Sequence, residues 1–172
     1  MVTLTTPLFY FRDNPVYGHH LPVPPEALND LADLKDNRVL CTINGKETLH
    51  AALIPDGKGA FYILINKDVR NKLGLSQGQE VSISLRTDDS RYGMDMPEEL
   101  GVLLDQEQTG SELFHKLTPG KQRSLIHWVG TVKHPDKRLK RANVMIRHLI
   151  SLQGNIDYKQ LNADMKVANQ LK

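Results

Sequence analysis

The chain has 172 residues, 40% hydrophobic and 24% charged, with a single cysteine, Cys41. That is apolar material enough for a core without staples; an intrachain disulfide is excluded, and paired Cys/His zinc spacings are absent. Net charge is only +2, but it is unevenly placed: 10 Lys/Arg stand against 17 Asp/Glu from Met1 to Phe114, and 9 against 1 from His115 to Ile150.

The start, MVTLTTPLFYFRDNPVYG, lacks the basic end and long apolar run of a signal peptide. No apolar run approaches membrane-spanning length, so a cytoplasmic protein without a membrane span is expected. Leu8–Arg12 reads as the first strand. Arg38–Ile43 and Glu47–Ile54 follow as a hairpin about Asn44-Gly45, a pair that accepts the positive φ of a tight turn. Pro55 to Gly59 is a second turn, and Ala60–Ile65 a further strand. Asn66-Lys67-Asp68 caps a short helix with Val69 and Leu73 on one face, and Gly74 ends it. Ser76 to Gln79 turns the chain into Glu80–Arg86, where Val81, Ile83 and Leu85 alternate with Ser82 and Ser84.

Sliding the chain by 42 positions lays His19–Ile43 on Phe61–Leu85 without a gap. Leu21 meets Ile63, Val23 meets Ile65, Val39 meets Val81, Cys41 meets Ile83 and Ile43 meets Leu85. Strand, short helix, strand thus occurs twice, and two copies are expected to close a small barrel around a pseudo-two-fold axis.

Beyond Asp88 the pattern turns helical. Pro97 opens a helix with Glu98 and Glu99 in its first turn and Leu100, Leu103 and Leu104 on its apolar face. Ser111 starts a short piece ending near Leu117. Thr118-Pro119 starts a helix with Leu125, Ile126, Val129 and Val132 as its stripe. Pro135 opens the next, whose apolar side is Leu139, Ala142, Met145, Ile146, Leu149 and Leu152, stopped by Gly154. The tail from Asn155 is a last helix or a frayed end. The fold class expected is α+β, with domains at 1–91 (β-barrel) and 92–172 (helical).

The run Leu40–Asp89 resembles the small β-barrel module of uncharacterised bacterial proteins. That module is similar to the double-split barrel of AbrB-type transcription factors. The run FHKLTPGKQRSLIHWVGTVKHPDKRLKRANVMIRHL (Phe114–Leu149) resembles the YdeI/OmpD-associated, or bacteriocin-protection, family. Trp128, Lys133, Arg138 and Arg141 match its pattern, while Leu125-Ile126, Val132 and Lys137 depart from it. The resemblance implies a bacterial protein linked to tolerance of bacteriocins or antimicrobial peptides.

Lys133, Lys137, Arg138, Lys140 and Arg141 fall at near-helical spacing. Such a face neutralises phosphates or another anionic partner, or is simply the wet side of an amphipathic helix. Trp128 reads first as core and second as a stacking surface for a ligand. Cys41 reads as a buried, inert thiol. His19, His20 and His50 are weighed as metal ligands and set aside, since adjacent strand residues face opposite ways and no acidic partner is evident. His127 and His134 read as solvent-exposed. No nucleophile elbow, phosphate loop or zinc-protease motif is present, and no catalytic residue, metal or cofactor is assigned.

The favoured expectation is a non-enzymatic binding or stress-protection protein whose partner is an anion or a small molecule. One alternative is a DNA-binding regulator, opposed by the net negative charge of the first ninety residues. The other is a small-molecule protein or enzyme with a site between barrel and helices. The AbrB-type proteins that the barrel resembles dimerise by exchanging hairpins, one repeat per chain; two copies in one chain remove that reason, so a monomer is expected.

Overall fold

The computed structural model describes residues 1–11, 18–31 and 34–170, and it divides into two units, Met1–Gly93 and Met94–Lys172. The first unit holds β1 (Val2–Pro7), β2 (Phe9–Tyr10), β3 (His19–Val23), β4 (Arg38–Ile43), β5 (Glu47–Ala52), β6 (Ile54–Pro55), β7 (Phe61–Leu64), α1 (Lys67–Leu73) and β8 (Glu80–Thr87). The strands form two antiparallel four-stranded sheets, ordered β1-β8-β4-β5 and β2-β3-β7-β6. A closed barrel is not shown.

Two expected strands are corrected. The segment from Leu8 is not one strand to Arg12, which lies outside the described residues. β1 precedes it, Leu8 is fully buried, and β2 follows in the other sheet. Glu47–Ile54 likewise divides at buried Leu53, where the chain passes from β5 in one sheet to β6 in the other. An apolar pivot explains both, since its side chain fills the core while the backbone changes sheets.

The 42-residue spacing is visible in the registers. In β3–β7, Leu21 pairs directly with Ile63; in β4–β8, Thr42 pairs directly with Ser84. Each pair joins residues 42 apart, the spacing found in the sequence. The copy extends further than the gapless slide reaches. Thr3-Leu4-Thr5-Thr6-Pro7-Leu8 is repeated as Thr48-Leu49-His50-Ala51-Ala52-Leu53. Both pivots are held alike: the Leu8 amide donates to the Gln79 carbonyl at 2.9 Å, and the Leu53 amide to the Asn37 carbonyl at 2.8 Å.

The inward residues of both copies form one core: Leu8, Leu21, Val23, Val39, Cys41 and Ile43 with Leu53, Ile63, Ile65, Val81, Ile83 and Leu85. Asn44 and Gly45 both take positive φ in the β4–β5 turn. In α1 the Asn66 side chain accepts from the Val69 amide and Gly74 closes the helix with φ 64°. The first copy has only a 3-10 turn there, Pro25–Leu28, because Pro24 stands where Asn66 caps and offers no side-chain acceptor.

The second unit is helical: α2 (Glu98–Gln106), α3 (Gln108–His115), α4 (Pro119–Gly130), α5 (Pro135–Ser151) and α6 (Tyr158–Gln170). Two boundaries differ from expectation. α3 starts before Ser111, because the Glu107 carboxylate caps it by accepting from the Gly110 amide. α4 ends at Gly130, so Val132 lies beyond its stripe. α5 is the central helix, packing on α2, α3, α4 and α6. It buries Ala142, Val144, Met145, Ile146, His148 and Leu149. Gln153 and Gly154 leave it with positive φ, and the Gly154 amide returns to the Leu149 carbonyl at 2.8 Å. The tail forms α6, whose Leu161 is fully buried and whose first amides, Lys159 and Gln160, bond the Asp157 carboxylate.

Candidate functional site

Helix α5 carries Lys137, Arg138, Lys140 and Arg141 of the basic run, and Lys133 lies just before it. Pro135 suits its first turn and Asp136 favours its N-terminal dipole. Its other face is apolar, which turns the Lys/Arg run toward the ends of the neighbouring helices. Arg138 makes two parallel 2.8 Å hydrogen bonds to the Glu99 carboxylate of α2, and its third nitrogen donates to the Lys133 carbonyl at 2.8 Å. That fork holds the Glu99 carboxyl below its ordinary pKa. Arg141 donates to the Trp128 carbonyl at 2.5 Å and the Thr131 hydroxyl at 2.6 Å, and its guanidinium lies 5.0 Å from the centre of the Trp128 ring. Lys140 donates to the Ala168 carbonyl at 2.8 Å.

Trp128 and Ala168 belong to the last turns of α4 and α6, where carbonyls lack helical partners and the dipole is negative. Arg141 and Lys140 thus close the C-terminal ends of two helices, and Arg138 ties α5 to α2. Of the five basic residues picked from the sequence, three are engaged in this way; Lys133 and Lys137 are exposed. Trp128 is half-buried, with Arg141 against its ring and its indole N–H 3.4 Å from the Asn162 side chain. Leu139, expected on the apolar side, is partly exposed. The Arg138–Glu99 pair ties the first turns of α5 to α2, and Leu139 is left beside Val102 and Leu103.

The three histidines weighed as metal ligands have separate surroundings. His19 accepts from Arg70 at 3.4 Å, and burial, then Arg70, lowers its pKa. His20 stacks on Phe11 with ring centres 3.7 Å apart. His50 pairs with Asp88 at 2.7 Å. Among the described residues no group of three His, Cys, Asp or Glu could hold a metal. The Cys41 thiol is buried and burial pushes its pKa up to about 12, which leaves negligible thiolate. His127 and His134 are exposed.

Sequence reasoning missed two histidine–carboxylate pairs. Asp88 is buried and accepts from His50 and from both the amide and hydroxyl of Ser90. His148, buried on α5, bonds Asp164 of α6 at 3.1 Å through Nδ1 and accepts the Asp157 amide at 3.2 Å through Nε2. Ser151 lies close by, but its hydroxyl donates to the His148 carbonyl at 3.0 Å. With Nε2 occupied by a backbone amide, the set is not wired to activate a serine. The periodic signal for His148 was present: it lies three residues beyond Met145 on the same side of α5.

Two of the hollows among the described residues lie on the helical unit. One, of about 310 Å³, is lined by Val144, Arg147, Ser151, Asp164, Val167 and Ala168, beside His148. The other, of about 360 Å³, lies between α2 and α5 and is lined by Glu98, Glu99, Val102, Leu103, Gln106 and Leu139. No described helix is long and apolar enough to cross a membrane.

Residues 5–85 match a family model described as a domain of unknown function, DUF1905. Residues 93–150 match one described as bacteriocin-protection, YdeI or OmpD-associated. Together they support a YdeI/OmpD-associated region with that unknown-function domain beside it. No curated protein and no solved structure matches the chain.

Proposed function

We propose that the protein is a cytoplasmic, non-enzymatic binding protein that helps bacteria withstand bacteriocins and related antimicrobial peptides. The observation that carries this reading is the match of residues 93–150, the span of α2 to α5, to a family described by bacteriocin protection. The wiring of the helical unit supports the non-enzymatic part: Arg138, Lys140 and Arg141 brace helix ends, and His148 spends both ring nitrogens on Asp164 and a backbone amide. Of the five basic residues picked from the sequence, Lys133, just before α5, and Lys137 on it remain exposed and would meet an anionic partner.

The finer architecture belongs to the same proposal. The symmetric pairing of β3 with β7 and β4 with β8 around one core supports a closed barrel of the double-split type. Residues 1–91 would form that barrel and 92–172 the helical domain, in a monomer. Deleting the gene in its native host and challenging it with a panel of bacteriocins tests the function. Survival is expected to fall and to return with the gene supplied in trans; unchanged survival across the panel overturns the reading.

A further inference from the structure

Helix α2 uses two sides. Leu100 and Leu104 are buried among the helices of its unit. On another side Glu98, Val102 and Gln106 succeed one another at four-residue steps, flanked by Glu99 and Leu103, and with Leu139 of α5 they line the 360 Å³ hollow. Val102 is 48% and Leu139 44% exposed, two of the few large apolar side chains of this unit left in water. The rim is acidic. Glu98 and Glu99 line it, and the nine residues of α2 carry 3 Asp/Glu and no Lys/Arg. The α5 cation that reaches this rim, Arg138, is committed to Glu99 and the Lys133 carbonyl. Glu98 is exposed, and Asp105 lies two turns further along the same side of α2, also exposed.

We propose that this hollow is a docking groove for a cationic amphipathic helix. Apolar side chains one turn apart would sit between Val102, Leu103 and Leu139, and flanking Lys or Arg would meet Glu98 and Asp105. The nine residues of α2 offer a trough about 13 Å long, which admits two or three turns of a partner helix. The inference rests on the protective reading above and adds to it a second partner, a cationic one, at a surface separate from the Lys133 and Lys137 cations that would meet an anionic partner.

The test uses the full chain and a fluorescent synthetic peptide of leucine and lysine, about 14 residues long, with helical apolar spacing. A scrambled isomer and a leucine–glutamate counterpart serve as comparisons, read by fluorescence anisotropy. The ordered Leu-Lys peptide is expected to bind at least about tenfold more tightly than either. Val102→Ser, Leu139→Ser and Glu98→Lys should each weaken it by about tenfold, while Val167→Ser, an exposed site on α6, should not. All four positions are exposed, and thermal unfolding checks that each variant folds. Equal binding of the scrambled isomer, or indifference to the three groove substitutions, overturns the proposal. So does a dimer that Leu139→Ser dissociates, because a second copy would then cover the hollow. Failure of the groove and failure of the protective reading are separable. If groove variants restore survival in full to the deletion strain, the groove falls and protection stands; if groove-dependent binding is found while deletion leaves survival unchanged, protection falls and the groove stands.

Discussion

Asp88 is buried at the end of β8, yet it is ionised by design of its surroundings. Burial pushes its carboxyl pKa up, but hydrogen bonds from His50 and from the side chain and amide of Ser90 outweigh that, and the net shift is downward. A depressed folded-state pKa contributes stability that is present above the ordinary value of 3.8 and lost as pH falls through the lowered one. Asp88→Asn should therefore cost about 1–3 kcal/mol in urea unfolding at neutral pH. The gap from the parent should narrow as pH drops below about 4. The pair escaped the sequence reading because His50 and Asp88 are 38 positions apart and neither sits in a motif; only the β4–β5–β8 arrangement brings them together.

At the scale of elements, the helices were legible from caps and breakers, and the errors fall where a side chain outside the periodic stripe decided the outcome. Glu107 caps α3 and moves its start to Gln108. The Arg138–Glu99 clamp ties the first turns of α5 to α2, and Leu139 stays in water. The basic run looked like a ligand face because spacing reports which residues share a side of a helix, not what meets them there. Gly110 sets how closely α3 approaches α5. A Cβ at that position would lie 2.6 Å from Ile146 Cγ2 and 2.7 Å from a Glu107 oxygen. Alanine would favour the helix by about 1 kcal/mol on propensity alone. The clash should reverse the sign, so Gly110→Ala is expected to destabilise by about 1–3 kcal/mol, measured as a lowered denaturation midpoint.

Across the molecule, the two units differ in how charge is distributed. Met1–Gly93 holds 10 basic against 11 acidic residues and is only slightly negative, and most of the net acidity of the first part of the chain lies in residues 94–115 at the head of the helical unit. The repeat of 42 was readable because β3, α1 and their counterparts differ by no insertion. The matching Thr-Leu-x-x-x-Leu runs were hidden, because they are offset by 45 and a gapless slide passes over them. Their pivots, Leu8 and Leu53, do the same work in the two halves of one core. Leu8→Ala and Leu53→Ala should each lose about 2–5 kcal/mol, equal within error, by chemical denaturation. A loss at one site only would mean that the halves are not energetic equivalents.

One consequence follows from the way α6 closes over α5. Leu161, Asp164 and the Asp157 amide supply the cover and the polar partners for that side of α5, including both nitrogens of His148. A fragment trimmed just after α5 would bare an imidazole together with the greasy flank around it, and such a surface invites clumping. A self-sufficient piece of this half of the chain therefore includes α6 at least through Asp164.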